Sequence, residues 1–241
     1  MTAPGHAPLA RVQALTLDLD DTLWPVRPTL VAAEQVLNDW LHVHAPRTAA
    51  AVGPREMLAL RADVARAHPE WVHDLSAIRL ETIRRALRSQ GDDPLLAEPA
   101  FETFFEARHR VVLYDDVRPA LERLAARYRL VAVSNGNAEL ARIGLDHYFA
   151  GSVSARLHGV PKPAASIFHA ACATLHTPHD RVLHLGDDLQ LDVAAALAAG
   201  LQSGWIHRED SVMPEEALRS PLHAGAHRWE LLSAVADALG C

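Results

Sequence analysis

The sequence predicts an α/β protein whose doubly wound parallel sheet is interrupted by an inserted, all-helical subdomain. Short apolar runs typical of β-strands alternate with helical patterns along much of the chain. This alternation stops once, between Trp24 and about Val112, where the spacing is helical. The 241 residues, 49% of them apolar, are enough for one large domain or for a core with a subdomain.

Five segments are predicted to be strands. They are "VQALTLDLD" (12–20), "RLVAVSN" (129–135), "GSVSA" (151–155), "RVLHLGD" (181–187) and "QSGWIH" (202–207). Helical patterns lie between the later ones, namely "VRPALERLAARY" from residue 117 and "LDVAAALAAG" from residue 191, the second ending at Gly200. Strands that alternate with helices form parallel sheets, and apolar strands of this kind are covered on both faces.

The interruption contains four segments with helical spacing, separated by Pro and Gly. They are "PTLVAAEQVLNDWLHVHA", "GPREMLALRADVARAHP", "LSAIRLETIRRALRSQG" and "PAFETFFEARHRVVL". We therefore expect a core made of residues 1–25 and 113–241, and a helical subdomain made of residues 26–112, inserted after the first strand.

Composition and charge argue against several classes of partner. The net charge is -7 and no block of Lys and Arg is present, so we do not expect binding to nucleic acid. The first residues do not resemble a signal peptide, and no apolar run approaches the length of about 18 residues needed to span a membrane. We expect a cytoplasmic monomer or homodimer. The two cysteines and the 15 scattered histidines fit neither a disulfide framework nor a zinc motif.

Acidic side chains gather where two predicted strands end. They are Asp18, Asp20 and Asp21 in "LTLDLDDTLW", and Asp187, Asp188 and Asp192 in "HLGDDLQLD". Alternation along a strand places Asp18 and Asp20 on the same side. Open α/β sheets bind ligands beyond the carboxyl ends of their strands, so both clusters are expected at one edge. Carboxylates brought together repel each other unless a cation is present, and oxygen ligands favour Mg²⁺.

Other candidate ligands for a phosphate group lie at the neighbouring strand ends. "VSNGN" offers the Ser134 hydroxyl, the Asn135 amide and free backbone N–H groups around Gly136, a neutral cradle for phosphate oxygens. "GVPKP" places Lys162 between two prolines that stiffen the backbone. One cation among several carboxylates suggests a charged reaction site.

Together these residues resemble the four motifs of the haloacid dehalogenase superfamily of hydrolases. Asp-x-Asp-x-Thr matches Asp18, Asp20 and Thr22; the Ser or Thr after strand two matches Ser134; the downstream Lys matches Lys162. The final Gly-Asp with a further Asp matches Gly186, Asp187 and Asp192. A closer similarity, through "LTLDLDDTLW", "HPEWVHDLSAIR", "LVAVSNGNA" and "HLGDDLQLDVAAALAAG", is to bacterial phosphatases acting on flavin mononucleotide (FMN) and on the phosphorylated ribitylaminouracil of riboflavin synthesis.

The resemblance implies a reaction and a role for each matching residue. Asp18 is then the nucleophile that forms an aspartyl-phosphate, and Asp20 is the general acid and base. Ser134, Asn135 and Lys162 would bind the phosphoryl oxygens. Mg²⁺ would be held by Asp18, the Asp20 backbone carbonyl and Asp187, with Thr22, Asp188 and Asp192 acting around these ligands. Asp188 has the alternative role of capping the following helix.

Several other functions remain open at this point. Dehalogenases and phosphonate-cleaving relatives have no use for an acid at the position of Asp20, which favours phosphate esters. Sugar-phosphate mutases retain that acid, and the substrate could be another sugar phosphate or a nucleotide. A phospho-accepting receiver module shares Mg²⁺, acidic residues and a lysine, but is smaller and has no helical insert. A catalytically silent binding protein is disfavoured because every motif residue is present.

Residues of the insert are candidates for substrate specificity. The resemblance implies that the insert is a cap that closes over the active site. Trp71 is placed to stack on a planar ring, while His73, Asp74 and Arg79 are candidates for hydrogen bonds to its polar edges. Ordinary helix packing and capping is the alternative role for these residues.

Overall fold

The structure, a computed structural model, describes residues 9–208 and 225–241. Six strands of the described chain form one sheet with the order β3-β2-β1-β4-β5-β6, and all pairs are parallel. The strands are β1 (Ala14–Leu17), β2 (Arg129–Ser134), β3 (Gly151–Ser154), β4 (Val182–Gly186), β5 (Gln202–Ile206) and β6 (His227–Trp229). The predicted doubly wound parallel sheet is confirmed.

Strand β1 lies at the centre of the sheet. Its last residue, Leu17, pairs with Ala132 of β2 on one side and with Leu185 of β4 on the other. All four residues of β1 are buried, as expected for a central strand covered on both faces. The order of the strands reverses between β1 and β4, so the carboxyl ends of these strands and of β2 border one crevice.

Helices make up most of the rest of the described chain. The α-helices are α1 (Val26–His44), α2 (Pro46–Ala51), α3 (Pro54–Ala67), α4 (Leu75–Gln90), α5 (Ala97–Arg108), α6 (Val117–Ala125), α7 (Leu140–Ile143), α8 (Ala155–His158), α9 (Ala165–Leu175), α10 (Ala195–Ala198) and α11 (Leu232–Ala238). Short 3-10 helices and one π-helix, Leu189–Ala194, join them. None of the helices in the described ranges has the length and apolarity needed to cross a bilayer.

The chain divides into two compact units. The core unit contains the whole sheet and consists of residues up to Pro25, Leu113–Gly136 and Gly144–Cys241. The helical unit consists of Val26–Val112 and Asn137–Ile143, so this last segment, which the sequence assigns to the core, packs with the insert instead. Residues 1–8 and 209–224, also assigned to the core, lie outside the described residues.

Each unit has its own hydrophobic interior. In the core unit, α9 and α10 cover one face of the sheet with buried residues such as Ile167, Phe168 and Ala196. In the helical unit, α1, α4 and α5 bury a cluster that includes Leu37, Leu87 and Phe104. Burial of these apolar faces stabilises helices whose length alone would leave them marginal.

The core unit brings together the points where the insert leaves and rejoins it. The backbone N–H of Tyr114 donates a hydrogen bond to the carbonyl of Leu23, at 3.1 Å. Leu23 precedes the insert and Tyr114 follows it, although 90 residues lie between them in the sequence. The insert therefore occupies a single connection of the sheet.

The structure corrects two predicted boundaries and adds one strand. The first strand, predicted to reach Asp20, ends at Leu17, because the carbonyl of Leu19 accepts the N–H of Leu23 in a helical turn. The helix predicted from residue 191 begins earlier, as the π-helix that precedes α10. Strand β6 escaped prediction because its three residues, "HRW", have no apolar alternation.

Candidate active site

Asp18 lies directly after β1 in a position defined by its backbone. Its N–H donates to the carbonyl of Leu185, at 2.8 Å, which continues the pairing with β4 by one residue. The side chain is 9% exposed, and its Oδ1 accepts a hydrogen bond from Lys162 Nζ at 2.5 Å. Burial raises the pKa of Asp18 to about 7, and the charge of Asp192 adds to this effect, while Lys162 opposes it.

Lys162 connects two buried carboxylates. Its Nζ lies 2.5 Å from Asp18 Oδ1 and 2.6 Å from Asp192 Oδ1. Two hydrogen bonds fix its backbone, because Asn135 accepts the Lys162 N–H at 2.7 Å and donates to the Lys162 carbonyl at 2.9 Å. Although burial alone would lower the pKa of Lys162, the charges of Asp18 and Asp192 raise it, so the ammonium stays protonated.

Asp192 is held from three directions. Its Oδ1 receives Lys162 and also lies 3.0 Å from His184 Nε2, while its Oδ2 accepts the N–H of Asp188 at 3.1 Å. Burial would raise the pKa of Asp192, but the charge of Lys162 and the hydrogen bond to His184 lower it. Gly186 leaves room for this arrangement, because a Cβ there would lie 2.3 Å from Asp192 Cγ. The glycine of the Gly-Asp motif is thus a steric requirement.

Asp187 completes an acidic cluster. Carboxylate oxygens of Asp18, Asp187 and Asp192 all lie within 4.8 Å of one another. Burial, followed by the charges of Asp18 and Asp192, raises the pKa of Asp187 to about 8. Thr22 Oγ1 donates to Asp187 Oδ1 at 3.1 Å. When all three carboxylates are ionised, they and the one ammonium leave two negative charges in excess, and these hard oxygen donors fit a divalent cation such as Mg²⁺.

The end of β2 supplies hydroxyl and backbone groups. Ser134 is 3% exposed, and its Oγ accepts the N–H of Gly136 at 2.9 Å. Asn135 uses both ends of its amide to hold the Lys162 backbone. Asn135 thus fixes the backbone of Lys162, and its role as a phosphate ligand stays a prediction.

Asp20 and Asp188 lie in the loops that follow β1 and β4. Asp20 Oδ1 accepts a hydrogen bond from Trp24 Nε1 at 2.8 Å. Asp188 Oδ1 accepts the N–H groups of Gln190 and Leu191, at 2.7 and 2.8 Å, and so caps the π-helix. The alternative role that the sequence suggests for Asp188, as a helix cap, is present in the structure.

Three further residues support this site and were not identified from the sequence. They are Thr16, His184 and Arg208. Thr16 Oγ1 lies 2.9 Å from His184 Nδ1, so the network around Asp192 reaches back to β1. The Arg208 guanidinium donates to the carbonyl of Thr22, at 2.7 Å from Nη2, and to Asp116 at 2.7 Å. Their roles depend on contacts between distant segments, which local sequence patterns do not indicate.

The four predicted specificity residues lie in the helical unit. Trp71 stacks on His68 with ring centroids 3.9 Å apart. His73 is half-buried, and Asp74 caps α4 by accepting the N–H of Ala77 at 2.9 Å. Arg79 is 7% exposed and donates to Glu34 at 2.7 Å. Asp74 and Arg79 therefore have structural partners within the unit.

Arg79 also borders a cavity of about 550 Å³ within the helical unit. The guanidinium lies over the ring of Phe104, 3.6 Å from its centroid. Glu34 and Arg61 are further polar residues of the lining, and Leu30 and Met57 are among its apolar ones. The cavity therefore combines charged groups with an apolar wall.

Comparison with known proteins identifies the family. The model of the haloacid dehalogenase-like hydrolases matches residues 12–200. These residues include the carboxylates after β1 and β4, the hydroxyl of Ser134 at the end of β2, and Lys162, which joins two of the carboxylates. The chain belongs to the haloacid dehalogenase-like hydrolases.

Similar proteins define the class more narrowly. The chain is 33% identical to the 5-amino-6-(5-phospho-D-ribitylamino)uracil phosphatase YigB of Escherichia coli, over 85% of the chain and 87% of that protein. It is 30% identical to the phosphoserine phosphatase of Thermus thermophilus, over 59% of each chain. Among solved structures, a 2-haloacid dehalogenase from Pseudomonas syringae has a TM-score of 0.82 and 31% identity, covering 95% of this chain and 98% of that one. The chain is a phosphatase of this family.

Proposed function

We propose that this protein is a Mg²⁺-dependent phosphomonoesterase that acts through an aspartyl-phosphate on Asp18. The observation that carries the proposal is the position of Asp18, buried beside Lys162 and within 4.8 Å of the carboxylates of Asp187 and Asp192. Lys162 lowers the repulsion that a carboxylate nucleophile meets when it approaches a phosphate dianion.

In this reaction, Asp18 attacks phosphorus and the bond to the leaving alkoxide breaks. Asp20 gives its proton to that alkoxide and then takes a proton from the water that attacks the aspartyl-phosphate. Asp18, the Asp20 carbonyl and Asp187 would hold Mg²⁺, which supplies positive charge to the phosphoryl oxygens. Ser134 and the N–H groups around Gly136 bind those oxygens, while Asn135 acts by holding Lys162 in place.

We propose a small phosphorylated metabolite in the cytoplasm as the substrate, with FMN and the ribitylaminouracil phosphate as the first candidates. The similarity to YigB supports this choice. Trp71 and His73 are the residues of the helical unit that we propose for contact with the non-phosphate end. Asp74 and Arg79 would support that surface through the helix cap and the ion pair with Glu34.

The similarity to a 2-haloacid dehalogenase suggests a second candidate reaction, the release of halide from a 2-haloacid. A halide leaves without a proton, so a dehalogenase has no task for an acid at the position of Asp20. Trp24 donates a hydrogen bond to this carboxylate, which holds it in one orientation. Phosphate-ester cleavage is the reaction that uses such an acid, and we therefore favour it.

A phosphate-release assay with Mg²⁺ tests the proposal. Para-nitrophenyl phosphate establishes turnover, and FMN, ribitylaminouracil phosphate, nucleotides, sugar phosphates and a 2-haloacid are then compared by kcat/KM. We expect repeated turnover, a preference for a ribityl phosphate, and a loss of at least about a thousandfold in Asp18→Asn, because covalent catalysis is removed. The variant Asp146→Asn, at an exposed position, is the matched control.

Other outcomes would change the assignment. A single stoichiometric phosphorylation would support a receiver module, phosphoryl transfer between positions of a sugar would support a mutase, and halide release would support a dehalogenase. Unchanged kcat/KM values in Trp71→Ala and His73→Ala, for every ester tested, would contradict the roles proposed for those two side chains. Trp40→Ala, in α1 of the same unit, controls for loss of a large aromatic.

A further inference from the structure

The side chain of Trp24 contacts Asp20 of the proposed catalytic machinery, and no role has yet been given to it. It is fully buried, and its Nε1 lies 2.8 Å from Asp20 Oδ1. An indole N–H is a donor only, and a buried one needs an acceptor. The pair is tied through the backbone as well, because the N–H of Asp21 donates to the carbonyl of Trp24 at 2.8 Å. The indole ring is therefore fixed relative to the Asp20 carboxyl group.

A tight left-handed turn produces this contact. Asp21 has a φ of 59°, a conformation that Asp tolerates better than most residues. The turn brings Trp24 back beside Asp20, where the two residues form an isolated parallel bridge. The segment between them is too short to allow the ring to move without breaking these hydrogen bonds.

The other oxygen of Asp20 faces a different restraint. A Cβ added at Gly136 would lie only 2.6 Å from Asp20 Oδ2, closer than real Cβ contacts. Oδ2 therefore lies against the backbone of Gly136, just after β2, and the Oγ of Ser134 lies 3.2 Å from the same Cβ position. The absence of a side chain at Gly136 allows this approach.

We propose that Trp24 is a positioning residue that holds the Asp20 carboxyl group so that its Oδ2 faces the proposed phosphate cradle. This inference rests on the proposed phosphatase function. Oδ1 accepts the Trp24 N–H, which fixes the rotation of the carboxyl group. Oδ2 then lies against Gly136, which belongs to the proposed cradle, and it is through this oxygen that Asp20 gives and takes protons.

The proton balance of the first step follows from this assignment. The carboxylate of Asp18 forms a bond to phosphorus, the bond from phosphorus to the leaving oxygen breaks, and the hydrogen on Asp20 Oδ2 moves to that oxygen. Asp20 is then a carboxylate with Trp24 still donating to Oδ1. In the second step the oxygen of a water molecule forms a bond to phosphorus, the bond from phosphorus to Asp18 breaks, and Oδ2 accepts the proton that the water loses.

The variant Trp24→Phe tests the proposal because it removes the N–H and keeps an aromatic ring. We compare kcat/KM for para-nitrophenyl phosphate, whose phenolate leaves without a proton, and for a primary alkyl phosphate, FMN or, if that reacts too slowly, ribose phosphate. General acid catalysis contributes typically 10²- to 10⁴-fold, so we expect a loss of roughly ten- to a hundredfold for the alkyl ester and less than about threefold for the aryl ester. The ratio kcat/KM is used because it reports the first transfer alone.

Three further variants make the result specific. Asp20→Asn is expected to show the same selectivity with a larger loss. Gly136→Ala displaces Oδ2 directly and tests the inference should Trp24→Phe not fold. Because it also disturbs the proposed phosphate cradle, where Ser134 has to shift by a few tenths of an ångström, we expect losses for both esters, with the larger loss for the alkyl ester. Trp229→Phe, in β6, is the matched control, for which we expect no change in the ratio of the two substrates.

Equal losses for both esters in Trp24→Phe, or no loss for either, would overturn the inference while leaving the phosphatase function in place. The same holds if Asp20→Asn shows no selectivity, because Asp20 is then not the acid. If the wild-type protein releases phosphate from neither ester, the proposed function fails and the inference fails with it.

Discussion

His184 lies fully buried between two polar side chains that belong to different segments. Asp192 offers only acceptors when ionised, so His184 donates to it from Nε2 and accepts the Thr16 hydroxyl at Nδ1. Burial lowers the pKa of His184, which favours this neutral form. The imidazole thus fixes the carboxylate that in turn holds Lys162.

A double-mutant cycle tests this network. We expect His184→Phe and Thr16→Val each to lower the free energy of unfolding by about 1–3 kcal/mol, because each leaves a buried polar partner unpaired. The double variant should lose less than the sum, by at least about 0.5 kcal/mol, because either change already breaks the shared hydrogen bond. Urea denaturation measures all three. Thr174→Val in α9 is the control, and its effect on the free energy of unfolding should add to that of His184→Phe. If the effects of Thr16→Val and His184→Phe are additive as well, the network is contradicted.

Residues at strand ends could be predicted only as a set, and their supporting partners could not be predicted at all. The charges of Asp18 and Lys162, taken with the other acidic strand ends, lead the sequence to predict a reaction site, and the structure places these two side chains 2.5 Å apart. Thr16 and His184 are 168 positions apart, so nothing local indicates their contact. Trp24 was equally hidden, because an apolar ring beside an acidic motif suggests core packing.

At the level of elements, the end of α5 is joined to the segment before α7 through His109. Its Nδ1 lies 2.6 Å from the Phe105 carbonyl, and its Nε2 accepts the N–H of Glu139 at 2.9 Å. Burial lowers the pKa of His109, and the charges of Arg108 and Arg142 add to this, while the bond to Phe105 and the charge of Glu139 oppose it. The neutral imidazole therefore satisfies both contacts.

This arrangement predicts that the helical unit is less stable in acid. Because the pKa of His109 is lower in the folded than in the unfolded chain, the unfolded state binds more protons. The stabilisation by the neutral side chain is therefore present above the pKa of the unfolded chain and is lost as the pH falls. We expect the free energy of unfolding to fall between about pH 7.5 and 5.5, and His109→Gln to reduce that slope. Denaturation curves at several pH values measure it, with exposed His42→Gln as control. Identical slopes in wild type and His109→Gln would refute the assignment.

The sequence predicts elements best where their periodicity is long. Helices α1, α3, α4 and α5 of the insert and strands β2 to β5 follow from apolar spacing, whereas the short α2 and β6 do not. Boundaries set by hydrogen bonds are harder to predict, as in the loop after β1, where a turn and the backbone of Asp21 replace the expected strand. The π-helix before α10 depends on the cap provided by Asp188, which sequence spacing alone does not distinguish from an ordinary helix.

For the molecule as a whole, a divalent cation should contribute to stability. The acidic cluster has two negative charges in excess when its carboxylates are ionised. Burial is the main cause of the raised pKa values of Asp18 and Asp187, and repulsion between the carboxylates adds to it. A ligand that binds only the folded state at about 100 times its Kd adds about 2.7 kcal/mol. We expect Mg²⁺ to raise the Tm of the wild-type protein and to have little effect on Asp187→Asn.

Thermal unfolding with Mg²⁺ and with a chelator measures this effect. Asp146→Asn, at an exposed position outside the cluster, should respond as the wild type does. An equal rise in Tm for Asp187→Asn would show that the cation acts elsewhere on the protein.

The parallel sheet and the inserted helical segment were both foreseeable, but the assignment of residues 137–143 to the helical unit was not, because only tertiary packing reveals it.

The hydrogen bond between Leu23 and Tyr114 has a consequence for how a protein of this architecture can evolve. A chain that departs and returns at neighbouring points can exchange the intervening stretch for a longer, shorter or unrelated one without altering the strand register. With the role in substrate choice that we propose for the helical unit, the chemistry of the sheet and the choice of metabolite would be inherited separately. New specificities would then arise by replacing one contiguous piece of the gene while the reaction itself is kept.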